Sequence, residues 1–181
     1  MNTINLLKKL IQIKSFSGQE NILADYIVDW AKDHELPVEK QNGNVVIKFL
    51  KHSSKAVIFN AHMDTVKPGS SWSVPPTGNG SGVVKDNKVY GLGASDDKAA
   101  IASFLTLATE LKKSPPPIDI FIVFVTNEEI SGVGSQSFVS YFQKKYGGKY
   151  KEVSAVLGEP TDLEYVEIGH RGSTFLKVTT G

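Results

Sequence analysis

Apolar and polar residues alternate along the chain with two periods, one typical of helices and the other of strands. Residues 3–13 carry apolar side chains at helical spacing and predict a short amphipathic helix. A second helical stretch has one apolar face, formed by Ile22, Leu23, Tyr26, Ile27 and Trp30. The preceding pattern Ser17-Gly18-Gln19-Glu20 predicts a capping box that opens this second helix.

Short apolar runs predict strands at 44–49, 56–61, 118–126 and 153–158, with two more at 163–169 and 174–180. Further helices are expected to begin near Asp96 and Asp97 and to cover 135–145, and GVVKDNKVYG predicts a hairpin. The continuously apolar run IDIFIVFV is typical of a strand that is covered on both faces. The predicted fold class is therefore α/β, with a mostly parallel central sheet and helices on both faces.

Composition narrows the classes of function. The 181 residues are 40% apolar and 22% charged with a net charge of +1, so no basic footprint for nucleic acid or a membrane surface is present. Because cysteine is absent, any metal must be held by His, Asp and Glu, which suits zinc and other first-row ions. The N-terminus MNTINLLKKLIQIKS lacks the pattern of a secretory signal, so a cytoplasmic protein is expected.

Acidic residues and a histidine follow predicted strands at four places, which are His62 and Asp64, Asp96 and Asp97, Glu128 and Glu129, and Glu159. In open α/β sheets, ligands bind at the carboxyl ends of the strands. Each signal alone is weak, since a capping aspartate, a solvated acidic loop or a surface turn would explain it. Together they favour a site for two metal ions that share a carboxylate, with one glutamate as ligand and the other as base on an activated water.

Competing chemistries find little support in the sequence. Gly91-x-Gly93 before a helix is typical of dinucleotide binding, but Asp96 replaces the third glycine and would repel a pyrophosphate. The chain has no G-x-S-x-G elbow, no G-x-x-x-x-G-K-[ST] phosphate loop and no H-E-x-x-H motif. His34 and His52 fit no ligand pattern and are expected at the surface.

The ordered motifs HMDTV, GLGASDDK, TNEEISGVGS, GEPT and GHRG resemble the dinuclear-zinc aminoacylase and exopeptidase family. That family includes acetylornithine deacetylase, succinyl-diaminopimelate desuccinylase, carboxypeptidase G and the tripeptide aminopeptidases. The resemblance implies metal ligands at His62, Asp96, Glu129 and Glu159. Asp96 would bridge two Zn²⁺ ions, with Co²⁺ or Mn²⁺ as alternatives, and would precede a cis peptide bond. Asp64 would orient His62, and Glu128 would be the general base and acid.

The resemblance implies a metal-dependent amide hydrolase that removes an acyl group from small N-acyl amino acids in amino-acid biosynthesis. A di- or tripeptidase or a carboxypeptidase of the same family stays an alternative, and the GEPT form of the motif leans slightly toward the deacylase. A non-catalytic interaction module is the alternative from another class. It is disfavoured because the motif residues of all four strand ends are present.

The resemblance also divides the chain. Residues 1–169 would form the N-terminal part of the catalytic domain, and residues 170–181 would begin a lid or dimerisation domain. A further His ligand, most substrate contacts and any homodimer contact would lie beyond residue 181. The 181-residue piece alone is therefore expected to be weakly active or inactive and to expose an unpaired sheet edge. The expected partner is an N-acyl amino acid or short peptide, with no nucleic acid and no membrane.

Overall fold

The computed structural model describes residues 2–162 and 165–169. The elements in chain order are α1 (Thr3–Gln12), α2 (Asn21–Asp33), β1 (Val38–Gln41), β2 (Asn44–Phe49), β3 (Lys55–His62), β4 (Val83–Lys85), β5 (Lys88–Tyr90), α3 (Lys98–Lys113), β6 (Asp119–Val125), α4 (Val133–Tyr146) and β7 (Glu152–Leu157). The predicted lid segment 170–181, with its predicted strand 174–180, lies outside the described residues.

The central sheet has five strands in the order β1-β2-β6-β3-β7. Strand β3 pairs in parallel with both β6 and β7, whereas β1, β2 and β6 pair antiparallel. The α/β fold is confirmed. The sheet is mixed, with two antiparallel and two parallel pairings, and the expected parallel pairing is found at β6, β3 and β7. Asn42 and Gly43, at φ 49° and 89°, join β1 to β2 by a two-residue turn that requires antiparallel strands. Strand β1, the polar segment VEKQ, was missing from the prediction.

Helices cover both faces of this sheet, as predicted. Helices α1, α2 and α3 pack on the face that presents Val45, Ile47, Ile122 and Phe124. Helix α4 packs on the opposite face, against Val46, Phe121 and Val123. Strand β6 lies between them and is buried at all seven positions, which explains its continuously apolar sequence. In the part of the chain that the structure describes, no helix has the length and apolar content needed to span a membrane.

The small hairpin is confirmed, and it forms a separate two-stranded sheet. Strands β4 and β5 are joined by Asp86 and Asn87, whose φ angles of 51° and 58° are those of a tight hairpin turn. The hairpin follows the long loop after β3 and precedes the segment that leads into α3. It therefore lies in the connection between two pairs of candidate site residues, which are His62 and Asp64 before it and Asp96 and Asp97 after it.

The predicted capping box is wrong. Helix α2 begins at Asn21, and the side chain of its N-cap residue, Glu20, makes no cap hydrogen bond. The Ser17 hydroxyl instead donates to Asp64, 47 positions away. Glu20 accepts hydrogen bonds from the amides of Gly18 and Asn127. The local S-x-x-E pattern is present, but the side chains of Ser17 and Glu20 form hydrogen bonds with residues that are distant in the sequence.

The strand predicted at 163–169 is also wrong for its described part. Residues 165–169 belong to no strand, and Val166 and Ile168 are exposed at 89% and 101%. Alternating apolar residues form a stable strand only beside a neighbouring strand, and no pairing involves this segment among the described residues.

Candidate metal centre

Three parallel strands end at one edge of the sheet and bring the predicted site residues together. His62 is the last residue of β3 and is paired with Val125, the last residue of β6. Strand β7 ends two residues before Glu159, and the Gly158 amide donates to the Asn60 carbonyl of β3 at 2.9 Å. The carboxyl ends of β3, β6 and β7 therefore meet, as expected for an α/β ligand site.

His62 is buried at this edge and presents one ring nitrogen to the carboxylates. Its Nδ1 lies 2.9 Å from the backbone carbonyl oxygen of Asp64, so Nδ1 carries the proton that this bond requires. Its Nε2 lies 2.7 Å from Asp96 Oδ1 and 3.9 Å from Glu159 Oε1. A histidine with Nδ1–H held by a carbonyl and Nε2 facing acidic groups has the arrangement of a metal ligand.

Two groups of potential ligands share His62. One comprises His62, Asp97 and Glu159, and the other comprises His62, Asp96 and Glu129, with the ligand atoms within 4.8 Å of one another in each group. All four predicted metal-binding residues are thus brought together. Asp97 is an addition, because the sequence offered a helix cap as a sufficient explanation for it. The Asp96–Asp97 peptide bond is cis, as the resemblance implied.

Asp97 has an unusual environment for a carboxylate. It is buried, its Oδ2 accepts a hydrogen bond from the His62 amide at 3.1 Å, and its Oδ1 has no hydrogen-bond partner among the described residues. Burial raises the pKa of Asp97 to about 8, with a further contribution from the nearby carboxylates of Glu159 and Asp96. A buried carboxylate oxygen without a partner fits a cation at this position.

The pKa shifts of the other residues in the cluster also indicate that a positive charge would be stabilised among them. Burial raises the pKa of Glu129 and of Glu159, and the carboxylate of Asp96 adds to both shifts. Burial alone would lower the pKa of His62, but hydrogen bonds to Asp64 and Asp96 raise it to about 10. One histidine and several crowded carboxylates form a donor set that suits zinc or another first-row ion.

Asp64 is fully buried and contacts more than the histidine that it was predicted to orient. Its Oδ1 accepts from the Glu128 amide at 2.9 Å and lies 3.5 Å from His62 Nδ1. Its Oδ2 accepts from the Glu129 amide at 3.1 Å and from the Ser17 hydroxyl at 2.7 Å. Burial opposes its ionisation, but these hydrogen bonds hold the pKa of Asp64 below its ordinary value.

The two neighbouring glutamates leave strand β6 in different environments. Asn127, at φ 53°, turns the chain out of the strand, which releases the residues after it from strand alternation. Glu129 is half-buried and belongs to the group with His62, whereas Glu128 is exposed and belongs to neither group. A cavity of about 330 Å³ adjoins this site and is lined by Thr65, Val66, Leu92, Ala94, Asp96 and Glu129.

Known proteins resemble this chain over most of its length. The model of a family described as Peptidase family M20/M25/M40 matches residues 58–173. A succinyl-diaminopimelate desuccinylase of Rickettsia canadensis is 33% identical over 192 residues, which cover 97% of this chain and 49% of that protein. A protein of Talaromyces marneffei named probable carboxypeptidase is 30% identical over 195 residues, which cover 97% of this chain and 42% of that protein.

A solved structure shows the same fold. The M20 family metallo-carboxypeptidase Sso-CP2 from Sulfolobus solfataricus superimposes with a TM-score of 0.69 at 20% identity, covering 87% of this chain and 37% of that one. The chain therefore spans less than half the length of these relatives.

Proposed function

Because the chain belongs to peptidase family M20/M25/M40, we propose that it carries part of the active site of a metal-dependent amide hydrolase. The observation that supports this most is the convergence of His62 and four carboxylates at the ends of β3, β6 and β7. The metal ligands are His62, Asp96, Glu129 and Glu159. The ions are two Zn²⁺, with Co²⁺ or Mn²⁺ as alternatives, and when bound they polarise the amide carbonyl and make water acidic.

Asp96 is proposed as the shared ligand of the two ions. Its Oδ1 lies next to His62 Nε2, and its side chain is about half exposed, so that its oxygens are accessible from the open side of the site. Asp97 is a further candidate on the side of Glu159, through its oxygen without a hydrogen-bond partner. His62, Asp96 and Glu159 would supply a first ion with the three protein ligands typical of a catalytic metal site.

Glu128 is proposed as the general base and acid. It is the carboxylate of the 126–132 loop that belongs to neither ligand group, and its backbone is fixed by the hydrogen bond to Asp64. From this position Glu128 takes a proton from the attacking water and returns it to the leaving amine. Asp64 keeps His62 in one tautomer through its carbonyl and holds the glutamate loop through its carboxylate.

The proposed substrates are small N-acyl amino acids, with removal of the acyl group. The desuccinylase relative supports this class, and the carboxypeptidase relative supports hydrolysis of short peptides as a second candidate. The 330 Å³ cavity beside Asp96 and Glu129 offers mostly small and apolar side chains to one end of such a substrate. A cytoplasmic location, a lid domain from residue 170 and a homodimer through that lid stay predictions.

Two variants of the protein distinguish the proposed general base from a proposed metal ligand. Glu128→Gln should lower hydrolysis of N-succinyl and N-acetyl amino acids by about 10²–10⁴-fold, while zinc stoichiometry by titration calorimetry stays unchanged. Glu129→Gln should lose one bound zinc, because an amide is a poor replacement for a carboxylate ligand. Glu110→Gln, at an exposed position of α3, is the matched control and should change neither quantity.

Two results would contradict the proposal. Zinc binding that is equally tight in wild type and in Glu129→Gln would remove Glu129 from the ligand set. Turnover that survives in Glu128→Gln would remove Glu128 as the base. Assaying N-acyl amino acids beside dipeptides and C-terminal peptide substrates in the same preparations decides between the deacylase and the peptidase.

A further inference from the structure

We propose that the connection between α1 and α2, residues 13–20, positions Glu128 and Glu129 through the side chains of Ser17 and Glu20. This connection is called the α1–α2 connection below. The inference rests on the proposed function of the two glutamates. Among the described residues, the side chains of Ser17 and Glu20 make no hydrogen bond to a potential metal ligand, so both act as positioning residues.

The first contact passes through Asp64. The Ser17 hydroxyl donates to Asp64 Oδ2 at 2.7 Å, and the same oxygen accepts the Glu129 amide at 3.1 Å. The other oxygen accepts the Glu128 amide at 2.9 Å. Each of these three donors restricts rotation of the carboxylate, and the hydroxyl is the one that comes from outside the glutamate loop. Ser17 thus fixes the carboxylate plane on which both amides depend.

The second contact reaches the turn that precedes the glutamates. Glu20 is only 4% exposed, and its Oε1 accepts the amides of Gly18 and Asn127, each at 3.0 Å. Asn127 is the residue with φ 53° at which the chain leaves β6. A hydrogen bond between a buried carboxylate and this amide stabilises the positive φ conformation. That conformation decides the direction in which Glu128 and Glu129 leave the strand.

Backbone hydrogen bonds hold the α1–α2 connection in register with the site. The Ser17 amide donates to the Thr65 carbonyl at 3.2 Å, and the Thr65 amide donates to the Ser15 carbonyl at 2.9 Å. Phe16 and Thr65 form an isolated parallel bridge. Thr65 directly follows Asp64. These backbone hydrogen bonds therefore hold the Ser17 hydroxyl in a fixed position relative to the Asp64 carboxylate.

Helix capping does not account for the two side chains. Helix α2 starts at Asn21, and the side chain of its N-cap residue, Glu20, makes no cap hydrogen bond there. The polar atoms of Ser17 and Glu20 are directed to residues 64 and 127 instead. Their hydrogen bonds therefore stabilise the site at the carboxyl ends of the strands. Loss of these bonds should affect the glutamates more than it affects α2.

The experiment uses paired variants of the protein. Ser17→Ala and Glu20→Met remove the hydrogen bonds, whereas Ser17→Thr keeps a hydroxyl donor and Glu20→Gln keeps an oxygen acceptor. Ser103→Ala and Glu110→Met, at exposed positions of α3, are the matched controls. Three quantities are measured: amide hydrogen exchange of residues 127–129 by NMR in the metal-free protein, zinc affinity by titration calorimetry, and the thermal midpoint.

Ser17→Ala should speed amide exchange at Glu128 and Glu129, and Glu20→Met should speed it at Asn127. Both should weaken zinc binding by about 10-fold, as expected for residues that orient a ligand from behind. Ser17→Thr and Glu20→Gln should recover most of both effects, and the controls should behave as wild type.

The proposal is overturned if Ser17→Ala and Glu20→Met leave exchange and zinc affinity at wild-type values. It is also overturned if affinity only follows the thermal midpoint and neither conservative variant recovers it, since that pattern describes a general structural role. A wild-type protein that binds no zinc would contradict the proposed function. Exchange at residues 127–129 in the metal-free protein would still decide whether the α1–α2 connection positions the loop.

Discussion

Asp119 is a fully buried carboxylate at the start of β6, at the opposite end of this strand from the metal centre. Its Oδ1 accepts the amides of Lys51 and Ser53 at 2.7 and 3.1 Å. Its Oδ2 accepts the Lys149 ammonium and the Tyr150 hydroxyl, each at 2.7 Å. Burial alone would raise the pKa of Asp119, but these donors hold it well below its ordinary value.

Asp119→Asn should destabilise the protein in a pH-dependent way. Because the pKa is lower in the folded than in the unfolded state, the contribution of the carboxylate is fully present above its ordinary pKa of 3.8. It is lost as the pH falls below that value. We expect a loss of about 2 kcal/mol at pH 7, shrinking toward pH 3, in urea unfolding. Asp29→Asn, at an exposed position, is the control. A difference that is equal at both pH values would contradict this account.

For single residues, the sequence was most informative where side chains that could bind a metal follow predicted strands. It predicted that four residues would converge, and the structure brings together His62, Asp96, Glu129 and Glu159. Their roles as ligands stay a prediction. It did not predict Asp97 as a candidate ligand or the contacts of Ser17 and Glu20. These contacts join residues 47 and 107 positions apart, whereas the same letters locally indicate a helix cap.

Among the elements, α4 approaches the end of β6 so closely that one position requires glycine. A Cβ added at Gly134 would lie 2.2 Å from the carbonyl oxygen and 2.6 Å from the amide nitrogen of Thr126. Neither atom belongs to a flexible side chain, so α4 or the strand end would have to move. The Gly134 carbonyl also accepts a hydrogen bond from Asn44 at 2.9 Å, and Asn44 accepts the Thr126 amide at 3.1 Å.

Gly134→Ala should destabilise the protein although alanine favours helices. The intrinsic gain of about 1 kcal/mol for alanine over glycine in a helix is smaller than the cost of a backbone clash. We expect a net loss of about 1–3 kcal/mol in denaturant unfolding. The control is Gly69→Ala, where an added Cβ meets nothing within 4 Å. Equal stability of the two variants would mean that α4 shifts without cost.

At the scale of elements, apolar periodicity was enough wherever a segment is buried. Strand β2 was predicted with its exact bounds, and β3, β6, β7 and α1 within a residue at each end. Strand β1 was missed because three of its four residues are polar and, among the described strands, it pairs with β2 alone. The opposite error occurred at 165–169, where alternation is present but no neighbouring strand pairs with the segment among the described residues. The local pattern of apolar residues therefore predicts the burial of a segment better than it predicts the pairing of strands.

For the molecule as a whole, β7 forms an exposed edge of the central sheet. Strand β7 is exposed at all six positions and lies at the end of the sheet order in the described part of the chain. Val153 is 46% exposed and Leu157 is 61% exposed, on the same side of the strand. An exposed apolar edge strand is a template for pairing with another chain.

The 181-residue chain should therefore self-associate through β7 as its concentration rises. Val153→Lys places a charge on this edge and should shift sedimentation velocity profiles toward the monomer. Val84→Lys is the matched control, because Val84 is 49% exposed on the separate β4–β5 hairpin. Association that is equal in both variants would show that another surface is responsible.

The central place of β6 also has a consequence for how the protein is made. Strands β2 and β3 both pair with β6, yet β3 ends at residue 62 and β6 begins only at residue 119. At a translation speed of roughly 5–20 residues per second, the ribosome needs roughly 3–11 seconds to supply the missing strand. During that time the backbone edges of β2 and β3 that pair with β6 have no partner strand. We therefore expect the nascent chain to bind chaperones that recognise extended apolar segments.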